Sequence, residues 1–258
     1  MVISSDSEPV AIAGIGISKR FGHVQALTNA SVTVHPGEVV ALLGDNGAGK
    51  STFVKILLGI YSADSGQVVV NDDEVELASI QDAQRRGVEA VHQDLALAPD
   101  LSVVDNFFLG HEVIRRGPLG HLGILARKSM RGDAAQALRS LAIELPSLEV
   151  PVRELSGGQR QAIAIARAVM WARSVVLLDE PTAALGARQS EIVCQLMRTV
   201  ASKGLGVLVI SHDLPRILQV ADSVSILWRG NTVRTAPAAD LTVPDIVATM
   251  VGYKGNVA

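Results

Sequence analysis

Four short, largely apolar runs punctuate the chain: Val39–Leu43, Val88–Val91, Val175–Leu178 and Gly206–Ile210. Each is too short for a buried helix, and the stretches between them carry apolar residues at helical spacing. Buried strands alternating with helices predict an α/β fold whose parallel sheet is covered on both faces. The first run follows the turn signal Pro36-Gly37, ends in glycines and leads into a helix-like stretch from Thr52 to Gly59. Ahead of it, Val10 to about Val34 reads as β-prone segments broken by Gly22 and His23.

Between Asp94 and Leu155 the pattern becomes helical, through Val103, Phe107 and Phe108 and again from Ala134 to Leu141. Gly117-Pro118-Leu119-Gly120 and Pro146 interrupt it. This predicts a mostly helical lobe at about 94–155, inserted into a core formed by about 10–93 and 156–258. The tail reads as a strand pair, Val224–Leu227 and Thr232–Arg234, and a short helix, Val243–Met250. With no internal repeat, residues 1–258 are expected to form a single nucleotide-binding domain.

Composition narrows the picture modestly. A hydrophobic content of 48% supports a substantial core. A net charge of −3 without a prominent Lys/Arg run excludes a nucleic-acid footprint. The single cysteine, Cys194, has no internal disulfide partner and reads as a small apolar residue in a reducing compartment. No apolar run approaches the ~20 residues of a spanning helix. Met1 to Pro9 is polar, unlike a signal peptide. A chain made in the cytosol is expected, with any membrane role supplied through a partner.

The chemistry is concentrated at the ends of the apolar runs. Gly44-Asp45-Asn46-Gly47-Ala48-Gly49-Lys50-Ser51 fits G-x-x-x-x-G-K-[ST], with Thr52 following. Glycines let backbone amides approach phosphates closely, and the helix start behind them is electropositive. Lys50 is placed to reach the β- and γ-phosphates, and the Ser51 hydroxyl to help hold Mg²⁺. Asp179 ends one strand run and is a second Mg²⁺ candidate. Glu180 beside it is placed to orient or deprotonate an attacking water. His212, after Val207–Ser211, is expected near the γ-phosphate, and Gln93 near the metal or the water.

Leu155-Ser156-Gly157-Gly158-Gln159 is a second glycine-rich helix start. Ser156 is a good N-cap for a helix running from Gln159 to Trp171, and Gly157 and Gly158 permit close backbone approach by an anion. One phosphate cradle and two anion-binding helix starts imply a site completed by another subunit.

With these motifs in place, the chain resembles the ATP-binding subunits of ATP-binding cassette (ABC) transporters over nearly its whole length. Leu155–Gln159 is similar to that family's signature. The resemblance implies a P-loop NTPase cassette with a mostly parallel central sheet, an N-terminal antiparallel β-region and the inserted helical lobe. It implies ATP and Mg²⁺, and a head-to-tail dimer with a second ATP-binding subunit, expected to be an identical copy. Phe21 matches the aromatic that stacks on adenine, Gln93 the glutamine that senses metal and permease, Glu180 the catalytic base and His212 the switch histidine. The lobe is implied to dock transmembrane permease subunits at the cytoplasmic face of the membrane. A periplasmic or extracellular solute-binding protein is implied as an indirect partner, and nucleic acid is not.

One departure stands out. Where the family usually has Ser-Ala-Leu-Asp after Pro181-Thr182, this chain has Ala183-Ala184-Leu185-Gly186. The missing carboxylate normally helps couple the two sites; its loss removes no group that touches Mg²⁺ or water, so hydrolysis is still expected, with looser coupling. Asp45–Gly49, Asn106-Phe107-Phe108-Leu109-Gly110 and this variant resemble the ATPases of bacterial simple-sugar importers of the ribose, xylose and fructose class, here in single-cassette form. The alternatives are an ATPase serving another solute, a soluble cassette acting on ribosomes or DNA, and a cassette that binds ATP without splitting it. The retention of Lys50, Asp179, Glu180 and His212 together weighs against the last.

Overall fold

The computed structural model describes residues 8–117, 123–183 and 185–252. The expected lobe breaker at Pro118, Leu119 and Gly120, and Ala184 of the variant segment, lie outside the described residues.

The N-terminal β-prone segment forms a hairpin, β1 (Ile12–Phe21) and β2 (Val24–Val34), turning at Gly22-His23. The chain then enters β3 (Val39–Gly44) and α1 (Lys50–Leu57). β4 (Ser65–Val70) and β5 (Asp73–Val75) add antiparallel strands to the outer side of β1. After α2 (Ile80–Arg85) comes β6 (Val88–Val91). The lobe carries α3 (Val103–Phe108) and α4 (Arg127–Ser140), joined by turns and extended pieces. Its second helix starts well before the expected Ala134. The core resumes with α5 (Gly157–Trp171), β7 (Val175–Asp179), α6 (Ala187–Ala201), β8 (Gly206–Ile210) and α7 (Leu214–Val220). The tail supplies β9 (Ser223–Trp228), β10 (Asn231–Pro237) and α8 (Val243–Met250).

The strand order is β5-β4-β1-β2-β10-β9-β3-β8-β7-β6. Its inner part, β9-β3-β8-β7-β6, is parallel throughout. Strand side chains alternate faces, so each apolar run divides between two cores. Val39, Ala41 and Leu43 enter one core with the lobe, α5 and α6, whereas Val40 and Leu42 enter the other with α1 and the antiparallel strands. Val176 and Leu178 against Val175 and Leu177, and Val207 and Val209 against Leu208 and Ile210, repeat the division. This is why the runs are continuously apolar: both faces are dry.

Two packing details fix the pieces that carry the site. Phe53, fully buried on α1, lies so close to Gly14 of β1 that a Cβ there would come within 2.6 Å of its ring. Truncating a buried Phe costs roughly 3–5 kcal/mol, so Phe53 is a main anchor of α1. On the other face, Ile163 and Ile165 of α5 are fully buried in the cluster that also holds Phe107, Phe108 and Met130 of the lobe. The helix that opens with the signature is therefore packed between lobe and sheet. Among the described residues, no helix is long and apolar enough to cross a membrane.

Candidate active site

The carboxyl ends of β3, β6, β7 and β8 converge on one cleft, the place where open α/β sheets bind ligands. The cleft has a volume of about 440 Å³, and its lining includes Asn46 to Thr52, Gln93, Asp179, Glu180 and His212. These expected residues, far apart in sequence, are thus brought together.

The cradle is shaped by backbone constraints. At Gly44 a side chain would collide with the Leu227 carbonyl oxygen. Gly49, at the N-cap of α1 with φ 108°, would drive a Cβ to 2.7 Å from the Ala26 carbonyl oxygen and 2.6 Å from Leu27 Cδ2. α1 therefore begins without a side-chain cap, leaving its first amides for an anion. Lys50 is buried, and its Nζ donates to the Gly44 carbonyl at 2.7 Å and the Asp45 carbonyl at 3.1 Å. Burial lowers its pKa, and the charges of Glu180, Asp45 and Asp179 oppose that shift. Gly44 and Asp45 thus hold the lysine by their carbonyls without lining the cleft themselves.

Glu180 is held in a left-handed conformation, φ 52°, with its amide donating to the Ile210 carbonyl at 3.0 Å. Such a backbone costs of order 1–3 kcal/mol for a non-glycine residue and is maintained by its surroundings. Its Oε1 is buried without a hydrogen-bond partner among the described residues. His212 Nε2 lies 3.0 Å from that oxygen, without hydrogen-bond alignment. Burial raises the Glu180 pKa, with His212 the main opposing influence. An orphaned, desolvated carboxylate oxygen in a polar cleft is a site for a donor such as water.

Phe21 is not among the cleft-lining residues. It is exposed at the end of β1, edge-on to Tyr61 with ring centroids 5.1 Å apart. The wall beside the cradle is instead Val24, Gln25 and Ala26, the start of β2, with Ile210 opposite. Sequence reasoning did not single these out: an ordinary strand start carries no motif.

The signature lies elsewhere. Ser156 caps α5 through a reciprocal box, with the Gln159 amide 3.3 Å from Ser156 Oγ and the Ser156 amide 2.9 Å from Gln159 Oε1. A Cβ on Gly158 would lie 3.0 Å from Gln189 Cγ, and one on Gly157 3.3 Å from Leu185 Cδ2. Ser156, Gly158 and Gln159 line a separate cleft of about 570 Å³ with Ile143, Arg188 and Gln189. The two clefts have no lining residue in common.

The ABC transporter family model matches residues 27–183, from the hairpin through both carboxylates. The chain belongs to the ABC transporter family. It is 41% identical over 237 residues to the xylose/arabinose import ATP-binding protein of Sulfolobus acidocaldarius, covering 92% of each chain. It is 39% identical over 249 residues to the fructose import ATP-binding protein of Rhizobium meliloti, covering 96% of this chain and 95% of that one. A ribose import ATP-binding protein of Rubrobacter xylanophilus is 39% identical, but the match spans 45% of its length. Among solved structures, a nucleotide-free ATP-binding cassette from an ABC transporter superposes with TM-score 0.79 at 23% identity, covering 96% of this chain and 99% of that one. The expected α/β cassette fold is thereby shown.

Within this ABC cassette, Gly186 is the N-cap of α6, with φ −69° and ψ 163°. Its amide meets Gln189 Oε1 at 3.4 Å, and a Cβ at 186 would meet nothing within 4 Å. A Cβ at 186 is therefore accommodated without repacking. The donor set for a cation is also clear. Among the described residues no group of three His, Cys, Asp or Glu could hold a metal by itself. Ser51, Gln93 and Asp179 nevertheless share the cradle's cleft. Oxygen donors with a single carboxylate suit Mg²⁺, which takes its remaining ligands from phosphates and water.

Proposed function

We propose that this chain is the ATP-hydrolysing subunit of an ABC importer for a monosaccharide. In this reading it binds peripherally at the cytoplasmic face of the membrane, on transmembrane permease subunits fed by a solute-binding protein. The observation that carries the mechanism is the separation of the two clefts: the signature of one chain does not line its own cradle. The assembly that completes both is a head-to-tail dimer in which ATP lies between the cradle of one copy and the signature of the other. A dimeric post-hydrolysis cassette bound to ADP and Pi, TM-score 0.70 at 24% identity, supports this reading.

The amides of the loop from Asn46 to Ser51 cradle the phosphates, and Lys50 exchanges its loop carbonyls for phosphate oxygens. Ser51, Asp179 and Gln93 would hold Mg²⁺, which when bound neutralises phosphate charge. Glu180 accepts a hydrogen bond from the attacking water at its orphaned Oε1 and takes the proton. His212, beside that carboxylate, opposes the rise that burial gives its pKa. Ser156 and the glycines of the partner's signature present helix-start donors to the γ-phosphate.

The sugar assignment rests on the two relatives named for xylose/arabinose and fructose import, which match over almost their whole length. Reconstitution with its permease and binding protein, supplied with labelled xylose, fructose or ribose, tests it. ATP-dependent uptake of a monosaccharide is expected. A complex that hydrolyses ATP and carries a different class of solute would refute the sugar assignment while leaving the ATPase assignment standing.

A further inference from the structure

The lobe carries an exposed cationic and apolar pair of segments, residues 109–117 and 123–128. Two basic pairs, Arg115-Arg116 and Arg127-Lys128, are well separated in sequence. The bridge between Ile114 and Leu125 brings them to one place. The Arg115 amide donates to the Ile124 carbonyl at 2.8 Å, and the Ala126 amide to the Val113 carbonyl at 2.7 Å. Leu109, Val113, Ile114 and Ile124 are 46%, 37%, 53% and 40% exposed. Residues 109–117 and 123–131 hold five Lys/Arg and one acidic residue, Glu112, a local charge of +4 in a chain of net charge −3. Arg127 pairs with Asp105 and Arg131 with Glu149. Arg115, Arg116 and Lys128 are exposed and have no ion-pair partner among the described residues.

We infer that this arm binds the surface of an anionic lipid bilayer directly. Exposed branched apolar residues beside guanidinium groups match the boundary between acyl chains and acidic headgroups. Unpaired cationic side chains are attracted to the negative surface potential of an anionic leaflet. Leu109, at its base, also lines the groove between lobe and sheet with Ile60, Ile80 and Trp171, so the apolar surface continues into that groove. The inference goes beyond the importer assignment and does not need it, because lipid alone is the ligand.

Flotation of the purified full-length chain with permease-free vesicles tests this. Binding is expected to vesicles of phosphatidylcholine with phosphatidylglycerol, to fall steeply as salt is raised, and to be absent from phosphatidylcholine alone. The double variant Arg115→Glu, Arg116→Glu is expected to lose at least about twentyfold in binding, since each basic group contributes severalfold. Ile114→Asp should weaken binding even at low salt, with basal ATPase unchanged in both variants. Absence of wild-type binding at low salt, or equal binding by the double variant, overturns the inference. So does a double variant that loses copurification with the permease when the wild type ignores lipid, since that assigns the arm to an acidic protein partner. Sugar-stimulated ATPase in the reconstituted complex reports the importer assignment separately.

Discussion

The cradle and the signature are both glycine-rich helix starts, yet they are built to opposite ends. Gly49 gives α1 no side-chain cap, so its first amides are left for an incoming anion, while the buried Lys50 rests on the Gly44 and Asp45 carbonyls. Ser156 and Gln159 cap α5 with a closed pair of hydrogen bonds, so that helix start is stable by itself. Around the cradle stand Asp179, Glu180 and His212, whereas the signature's cleft includes no residue of the cradle's cleft. One region gathers Asp179, Glu180 and His212 about an uncapped helix start; the other is a capped helix start that includes none of these three. The difference underlies the proposal that a second copy completes the site, and it predicts that the two regions respond differently to substitution.

The largest expected effect is at the base. Glu180→Gln keeps the side chain's shape and removes the proton acceptor, so turnover should fall about 10²–10⁴-fold with ATP binding retained. A steady-state rate within tenfold of wild type would remove Glu180 from the mechanism.

Next comes a contrast in nucleotide affinity. Lys50→Ala removes charge-assisted bonds to phosphate, each worth about 1.5–3 kcal/mol, and should weaken ATP binding by the isolated chain by at least about tenfold. Ser156→Ala should leave that affinity unchanged and instead cost about 1 kcal/mol of stability through the lost cap. Calorimetric titration and thermal melts separate the two; equal losses of affinity would break the distinction.

The pH profile gives a smaller effect. Burial raises the Glu180 pKa, and catalysis needs the carboxylate, so the acid limb of the rate profile should lie above the ordinary carboxylate range. His212 pulls the other way. In His212→Ala the acid limb should therefore move to higher pH, and a downward move would contradict the assigned contact.

The smallest effect is at Gly186. Because a Cβ there meets open space, Gly186→Asp should supply a side-chain cap to α6 and add a few tenths of a kcal/mol to stability. A marked loss in a denaturant melt would show that the position is crowded. An unchanged ATPase rate and cooperativity would end the idea that Gly186 loosens coupling.

Much of this architecture was legible because the parallel strands are dry on both faces. Val88–Val91 and Gly206–Ile210 have the expected bounds, as does the tail helix Val243–Met250. β4 escaped notice because it opens with exposed Ser65, Gly66 and Gln67 and turns apolar only from Val68. The cradle is contiguous and was readable directly. That Gln93 and His212 meet it follows from strand ends, a rule of the fold and not of the local sequence. The wall Val24–Ala26, the exposed position of Phe21 and the basic arm depend on pairings between distant segments, which no local pattern records. The arm is the clearest case, since neither basic pair forms a noticeable run alone.

The central claim is that one chain's signature completes another chain's cradle. Two inactive variants test it most directly: Lys50→Ala, with a disabled cradle, and Gly157→Asp, whose carboxylate repels phosphate at the signature. Each should be nearly inactive alone while retaining the fold by circular dichroism. Mixed in equal amounts, they form heterodimers with one intact composite site, and ATPase activity should reappear at a substantial fraction of wild type. A mixture no more active than either variant alone would contradict the shared site.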